Sequence, residues 1–120
     1  MEKDKLEICK ELIKTCIEME SRGINQGTSG NLSIRYKNSF LITPSSIPYT
    51  EIAPEDIVEM DWDGGFIGKQ PSSEWRFHRD ILKNRNDINV VLHCHSINAT
   101  SLSCHNREIP AFHYIVGLAG

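Results

Sequence analysis

Apolar residues near the start of the chain recur at helical spacing. Leu6, Cys9, Ile13, Cys16 and Ile17 form one stripe, and Leu12 and Met19 widen it along one edge. This predicts an amphipathic helix over 3–21, stopped near Gly23. The pattern then alternates. Residues 32–36 read as a strand, Lys37-Asn38-Ser39 as a turn, and 40–43 as the hairpin partner. Pro44, Ser45, Ser46, Pro48 and Pro54 punctuate a loop. A short strand over 57–61 turns back at Asp63-Gly64-Gly65 toward Phe66-Ile67. Helix signals return at Ser72-Ser73 and run to about Lys83, with one of these serines as the cap. Ile88, Val90, Val91 and Leu92 predict a strand over 88–94 buried on both faces. Ser96 is a candidate cap for a helix over 97–105, and 108–116 read as a further strand.

The alternation of helices, strands and hairpin turns gives an α/β class. At 120 residues this is one domain at most. The chain stops in small residues, Gly117-Leu-Ala-Gly120, straight after a strand, and reads as part of a longer domain. A hydrophobic share of 39% and a charged share of 24% suit a soluble globular protein. The net charge of -3, with Lys and Arg scattered, argues against nucleic-acid binding. No apolar run approaches the ~20 residues that span a bilayer, and the charged start is no signal peptide. The four cysteines lack Cys-x-x-Cys spacing and read as reduced thiols of a cytoplasmic protein.

Candidate chemistry centres on His93-Cys94-His95. Side chains two apart on a strand share a face, with Cα atoms about 6.6–6.8 Å apart. Both imidazoles can then converge on one zinc ion; a strand end with two hydrogen-bonded histidines is the plain alternative. Cys94 faces the other way, as a small buried hydrophobe. The segment Asn25-Gln-Gly-Thr-Ser-Gly-Asn-Leu-Ser33 allows either a phosphate cradle, with Thr28, Ser29, Asn31 and Ser33 as donors, or an ordinary helix-to-strand loop. In Pro71-Ser-Ser-Glu-Trp75, Ser72 or Ser73 caps the helix and Glu74 falls in its first turn. There it either complements the positive helix end or serves as general acid/base and metal ligand. Ser45 and Ser46 add hydroxyls after a strand. His78, one turn after Glu74, reads as structural, and His105 as solvent-facing. His113 and Tyr114 point to opposite sides of their strand.

Five pieces of the chain, in order, resemble the class II aldolase/adducin family. They are Asn25–Ser33, Leu41-Ile-Thr-Pro44 with Ile47-Pro-Tyr49, Pro71-Ser-Ser-Glu-Trp-Arg-Phe-His78, His93-Cys-His95, and Asn106-Arg-Glu-Ile-Pro-Ala-Phe-His-Tyr114. The resemblance implies a three-layer α/β/α fold with a mainly antiparallel central sheet, the histidine pair on an inner strand, and residues 1–120 as the N-terminal portion of a single domain. It implies one Zn2+ per subunit on His93 and His95, with Glu74 transferring the proton and ligating zinc when substrate is absent. Phosphate would rest on Gly30, Asn31, Ser45, Ser46, Ser72 and Ser73. Tyr114 would reach a neighbouring subunit's site in a homotetramer. The implied reaction is cleavage of L-fuculose 1-phosphate, or a related ketose 1-phosphate, to dihydroxyacetone phosphate and L-lactaldehyde.

Two departures stand out. The family pattern has Thr-Gly or Ser-Gly after Thr-Pro, where this chain has Ser45-Ser46. The family's third zinc histidine falls beyond residue 120, so the site on this chain is incomplete. A pentulose-phosphate 4-epimerase typically has aspartate where Glu74 stands. A sugar-phosphate dehydratase matches less around Trp75-Arg-Phe77. An inactive fragment or interaction module is the reading from outside enzymology, against which His93 and His95 argue.

Overall fold

The computed structural model describes residues 1–23 and 30–94. Helix α1 spans Lys3–Ser21, strand β1 Asn31–Tyr36, β2 Ser39–Ile42, β3 Val58–Met60, helix α2 Trp75–Asn84 and β4 Val90–His93. Two short 3-10 turns, Tyr49–Glu51 and Pro54–Asp56, cross between β2 and β3. The predicted helix over 97–105 and strand over 108–116 lie outside the described residues.

The four strands form one sheet in the order β3-β2-β1-β4, every neighbouring pair antiparallel. The hairpin β1–β2 closes with Tyr36 opposite Ser39, and Lys37 at the turn takes a left-handed φ of 52°. Period-two alternation then sorts the side chains onto two covered faces. Leu32, Tyr36, Leu41 and Val90 pack with Cys9, Leu12, Ile13, Cys16 and Met19 of α1. Phe40, Ile42, Val58, Met60 and Val91 pack with Leu82 of α2. The result is three layers, helix–sheet–helix, because neither sheet face is polar enough to be left to water.

Local outcomes refine the sequence expectations. The inward face of α1 centres on Leu12, Cys16 and Met19, so Ile17 sits at its rim, 38% exposed. Thr15 is buried on that face and satisfies its hydroxyl by donating to the Glu11 carbonyl at 2.8 Å. Helix α2 begins later than expected. Ser72 is held by donating its N–H to the Thr43 carbonyl at 3.0 Å, so Glu74 becomes the cap position and the helix starts at Trp75. Cys94 is half-buried rather than buried, and among the described strands β4 pairs with β1.

Both ends of α2 are anchored by specific contacts. At its start, Asp61 Oδ1 accepts the N–H groups of Asp63 and Gly65, which fixes a turn against Trp75. Gly64 in that turn has φ +95°, and a Cβ there would lie 2.6 Å from the Trp75 ring. Only glycine meets both demands. At the helix end, the Arg35 guanidinium donates to the Leu82 carbonyl of the last turn and to those of Arg85 and Ile88 just beyond it.

Candidate functional site

The α2 face of the sheet carries a cluster of buried polar residues, Asn31, Ser33 and His78. Asn31 and His93 are cross-strand partners of β1 and β4, and Ser33 follows Asn31 on the same face. Helix α2 lays Glu74 and His78, one turn apart, over these three. The Glu74 carboxylate meets His93 Nδ1 directly, and the two side chains keep 38% and 27% of their surface exposed. They form a partly solvent-exposed pair and not one inside the core.

Beneath that pair runs a buried file. Asn31 Nδ2 donates to Glu74 Oε2 at 3.5 Å, and the Asn31 carbonyl oxygen meets His78 Nε2. His78 Nδ1 lies 2.6 Å from Ser33 Oγ. His78 and Ser33 are fully buried and Asn31 nearly so. Burial pushes the His78 imidazole down to about 4, with the neighbouring His93 adding to the depression and Glu74 opposing it. His78 is therefore neutral at physiological pH. Phe77 caps the site, its ring 5.6 Å from that of His93 and 5.8 Å from that of His78.

Backbone pairing joins the two segments that carry the candidate serines. Pro44 and Pro71 form an antiparallel bridge, and Ser45 N–H donates to the Gln70 carbonyl at 2.9 Å. The loop after β2 thus runs antiparallel to the approach to α2, with Thr43 beside Ser72 and Ser45 beside Gln70. The Ser45 and Ser46 hydroxyls are 3.3 Å apart, and Ser46 takes a left-handed φ of 61°. That conformation accounts physically for a glycine preference at this position. Gly30, buried, leads into Asn31.

Among the sequence-predicted site residues, Asn31, Glu74 and His93 therefore come together in direct contact, with Ser72 and Ser73 leading into Glu74. His95 and Tyr114 lie outside the described residues, as do His105 and His113. Among the described residues no group of three His, Cys, Asp or Glu side chains gathers as a metal site. A carboxylate oxygen and an imidazole nitrogen presented together do suit zinc, which favours such mixed donors. His78, expected from the sequence to be structural, is fully buried, and Ser33, a candidate phosphate donor, bonds His78. Strand alternation could have linked them: Asn31 and Ser33 share a face, while Leu32 and Ile34 point the other way.

Comparison with known proteins fits this arrangement. The profile of the family described as "Class II Aldolase and Adducin N-terminal domain" matches residues 10–119. An L-fuculose phosphate aldolase of Escherichia coli K12 is 47% identical over the whole chain, which covers 55% of that protein. A 5-methylthioribulose-1-phosphate/5-deoxyribulose-1-phosphate aldolase of Escherichia coli O45:K1 is 45% identical over 98% of the chain and 55% of its own length. A solved L-fuculose 1-phosphate aldolase superposes with a TM-score of 0.77 at 37% identity, over 95% of this chain and 54% of that one. The chain thus spans about half the length of the curated relatives it matches.

Proposed function

The chain belongs to the class II aldolase and adducin family, and from that premise we propose that residues 1–120 are the N-terminal portion of a single-domain, zinc-dependent aldehyde-lyase acting on a ketose 1-phosphate. L-fuculose 1-phosphate, cleaved to dihydroxyacetone phosphate and L-lactaldehyde, is the substrate favoured by the 47% identical relative. A second substrate, 5-methylthioribulose 1-phosphate, has nearly equal support from the 45% identical relative. The observation that carries the reading is the contact of the Glu74 carboxylate with the His93 imidazole, both side chains remaining partly open to solvent. Glutamate rather than aspartate at position 74 separates this reading from a 4-epimerase.

His93, His95 and Glu74 would hold the metal. When bound, zinc supplies a Lewis acid for the negative charge that develops on the donor-half oxygens. Glu74 takes and returns the proton at the carbon that becomes nucleophilic. Gly30, Asn31, Ser45, Ser46, Ser72 and Ser73 hold the phosphate and so fix the reacting carbons beside that carboxylate. Tyr114 of a neighbouring subunit in a homotetramer exchanges a proton with the oxygen of the aldehyde half. The protein would work in the cytoplasm; among the described residues no helix is long and apolar enough to cross a membrane.

Two measurements on the intact protein carrying this sequence test the proposal. A coupled glycerol-phosphate dehydrogenase assay should register dihydroxyacetone phosphate released from one or both ketose 1-phosphates. Metal content should fall in His93→Ala and His95→Ala. No product from either substrate refutes the aldolase, and equal metal in all three proteins refutes the ligand assignment.

A further inference from the structure

We propose that His78 is a positioning residue, held as the neutral Nε2–H tautomer, which orients the Asn31 amide and through it the Glu74 carboxylate. The inference rests on the aldolase reading for Glu74 but names a residue that reading leaves unused. Its logic is donor and acceptor accounting along the buried file. An ionised carboxylate only accepts, so the group that Asn31 turns toward Glu74 is its NH2. The Asn31 carbonyl then faces His78 Nε2, and a carbonyl only accepts, so that nitrogen carries the hydrogen. A neutral imidazole has one N–H, which leaves Nδ1 as an acceptor for the Ser33 hydroxyl at 2.6 Å. Every donor points the same way, from Ser33 through His78 and Asn31 to Glu74.

The orientation has a function because each alternative breaks a bond in a place without water. If the Asn31 amide rotated by half a turn, its carbonyl would face the Glu74 carboxylate and its NH2 would face a ring nitrogen that bears hydrogen. Both contacts would be repulsive in a region where His78 and Ser33 are fully buried. Asn31 is also the cross-strand partner of His93, so the residue that steadies Glu74 sits opposite the imidazole Glu74 touches. His78 occupies the helix turn after Glu74, and its ring reaches Asn31 and Ser33 of β1. It acts through Asn31.

The test uses the intact protein, zinc-loaded. Nitrogen-15 NMR of the histidine rings at neutral pH should give His78 the Nε2–H signature. Ser33→Ala, which removes the donor to Nδ1, should mix the two tautomers. His78→Phe keeps the bulk and deletes both hydrogen bonds; kcat should fall about 10–100-fold with KM little changed, as for groups that hold a ligand from behind. His78→Gln retains one donor and one acceptor and should recover most of that loss, which separates positioning from packing and serves if the phenylalanine variant fails to fold. His78→Phe combined with Asn31→Ala should cost no more than the worse single change, since both cut one file. An Nδ1–H tautomer, parental kcat in His78→Phe, or additive losses in the double variant overturn the inference while the aldolase stands. A parent protein that releases no product sinks the aldolase reading. In that case zinc affinity, expected to drop about 10-fold in His78→Phe, still decides whether His78 steadies Glu74, and an unchanged affinity overturns it.

Discussion

The two faces of the sheet use the same strands for different ends. On the α1 side, Cys9, Leu12, Cys16, Met19, Leu32 and Leu41 are sealed from water and offer almost no polar atoms. On the α2 side, Phe40, Ile42 and Met60 are sealed equally well, but Asn31, Ser33 and His78 are buried beside them. A buried polar group costs free energy unless it is hydrogen-bonded, and each of these three is bonded to another. On the α1 side, buried Thr15 bonds its own helix and joins no such network across elements. The contrast locates function by the kind of group that is buried, since the extent of burial is the same on both sides.

The sharpest way to break this comparison is Glu74→Gln in the intact protein. Turnover should fall ~10²–10⁴-fold as proton transfer is lost, with KM and thermal stability near parental by steady-state kinetics and calorimetry. A near-parental kcat would leave Glu74 as a helix-cap residue and erase the functional difference between the faces. The mirror experiment is Leu41→Ala on the α1 side. Removing a fully buried leucine should cost ~2–5 kcal/mol in urea unfolding, with kcat of the folded protein unchanged. A change in kcat would show that the faces are coupled.

Acid should also distinguish the faces. His78 titrates at about 4 in the folded protein, against an ordinary 6.5 once unfolded, with His93 and Glu74 as the facing charged groups. Between those values the unfolded chain binds a proton that the folded chain refuses. Stability from this group is therefore complete above pH 6.5 and lost as pH falls toward 4, by roughly 3 kcal/mol in all. Denaturant titrations across that window should show the loss, and His78→Gln should flatten its slope. An equal slope in both proteins would assign the acid sensitivity elsewhere. The smallest effect is expected at Ser46, whose left-handed φ of 61° strains a side-chain-bearing residue. Ser46→Gly should raise stability by about 1 kcal/mol, and an unchanged melting temperature would mean that the Ser46 hydroxyl makes an offsetting contact.

Most of the elements could be read directly from the chain. The helix over 3–21, the hairpin at Lys37 and the strand ending at His93 rest on local periodicity and turn chemistry, which need no partner to be expressed. Glu74 and His93 could be singled out for a similar reason, because their short motifs stand out within a few residues. What the sequence alone could not decide was which of these motifs meet. The pairing of Asn31 with His93 joins positions more than sixty residues apart, and it depends on the register of β1 against β4. The start of α2 depends on the Ser72 N–H bonding to Thr43, which moves Glu74 from the first turn to the cap. The role of His78 depends on both outcomes at once. Periodicity is a property of neighbouring residues, whereas register, burial and hydrogen-bond direction arise only when distant segments exclude water from one another. The identity of each residue was set by the sequence; which buried donor faces which acceptor was set by the packed sheet and helix.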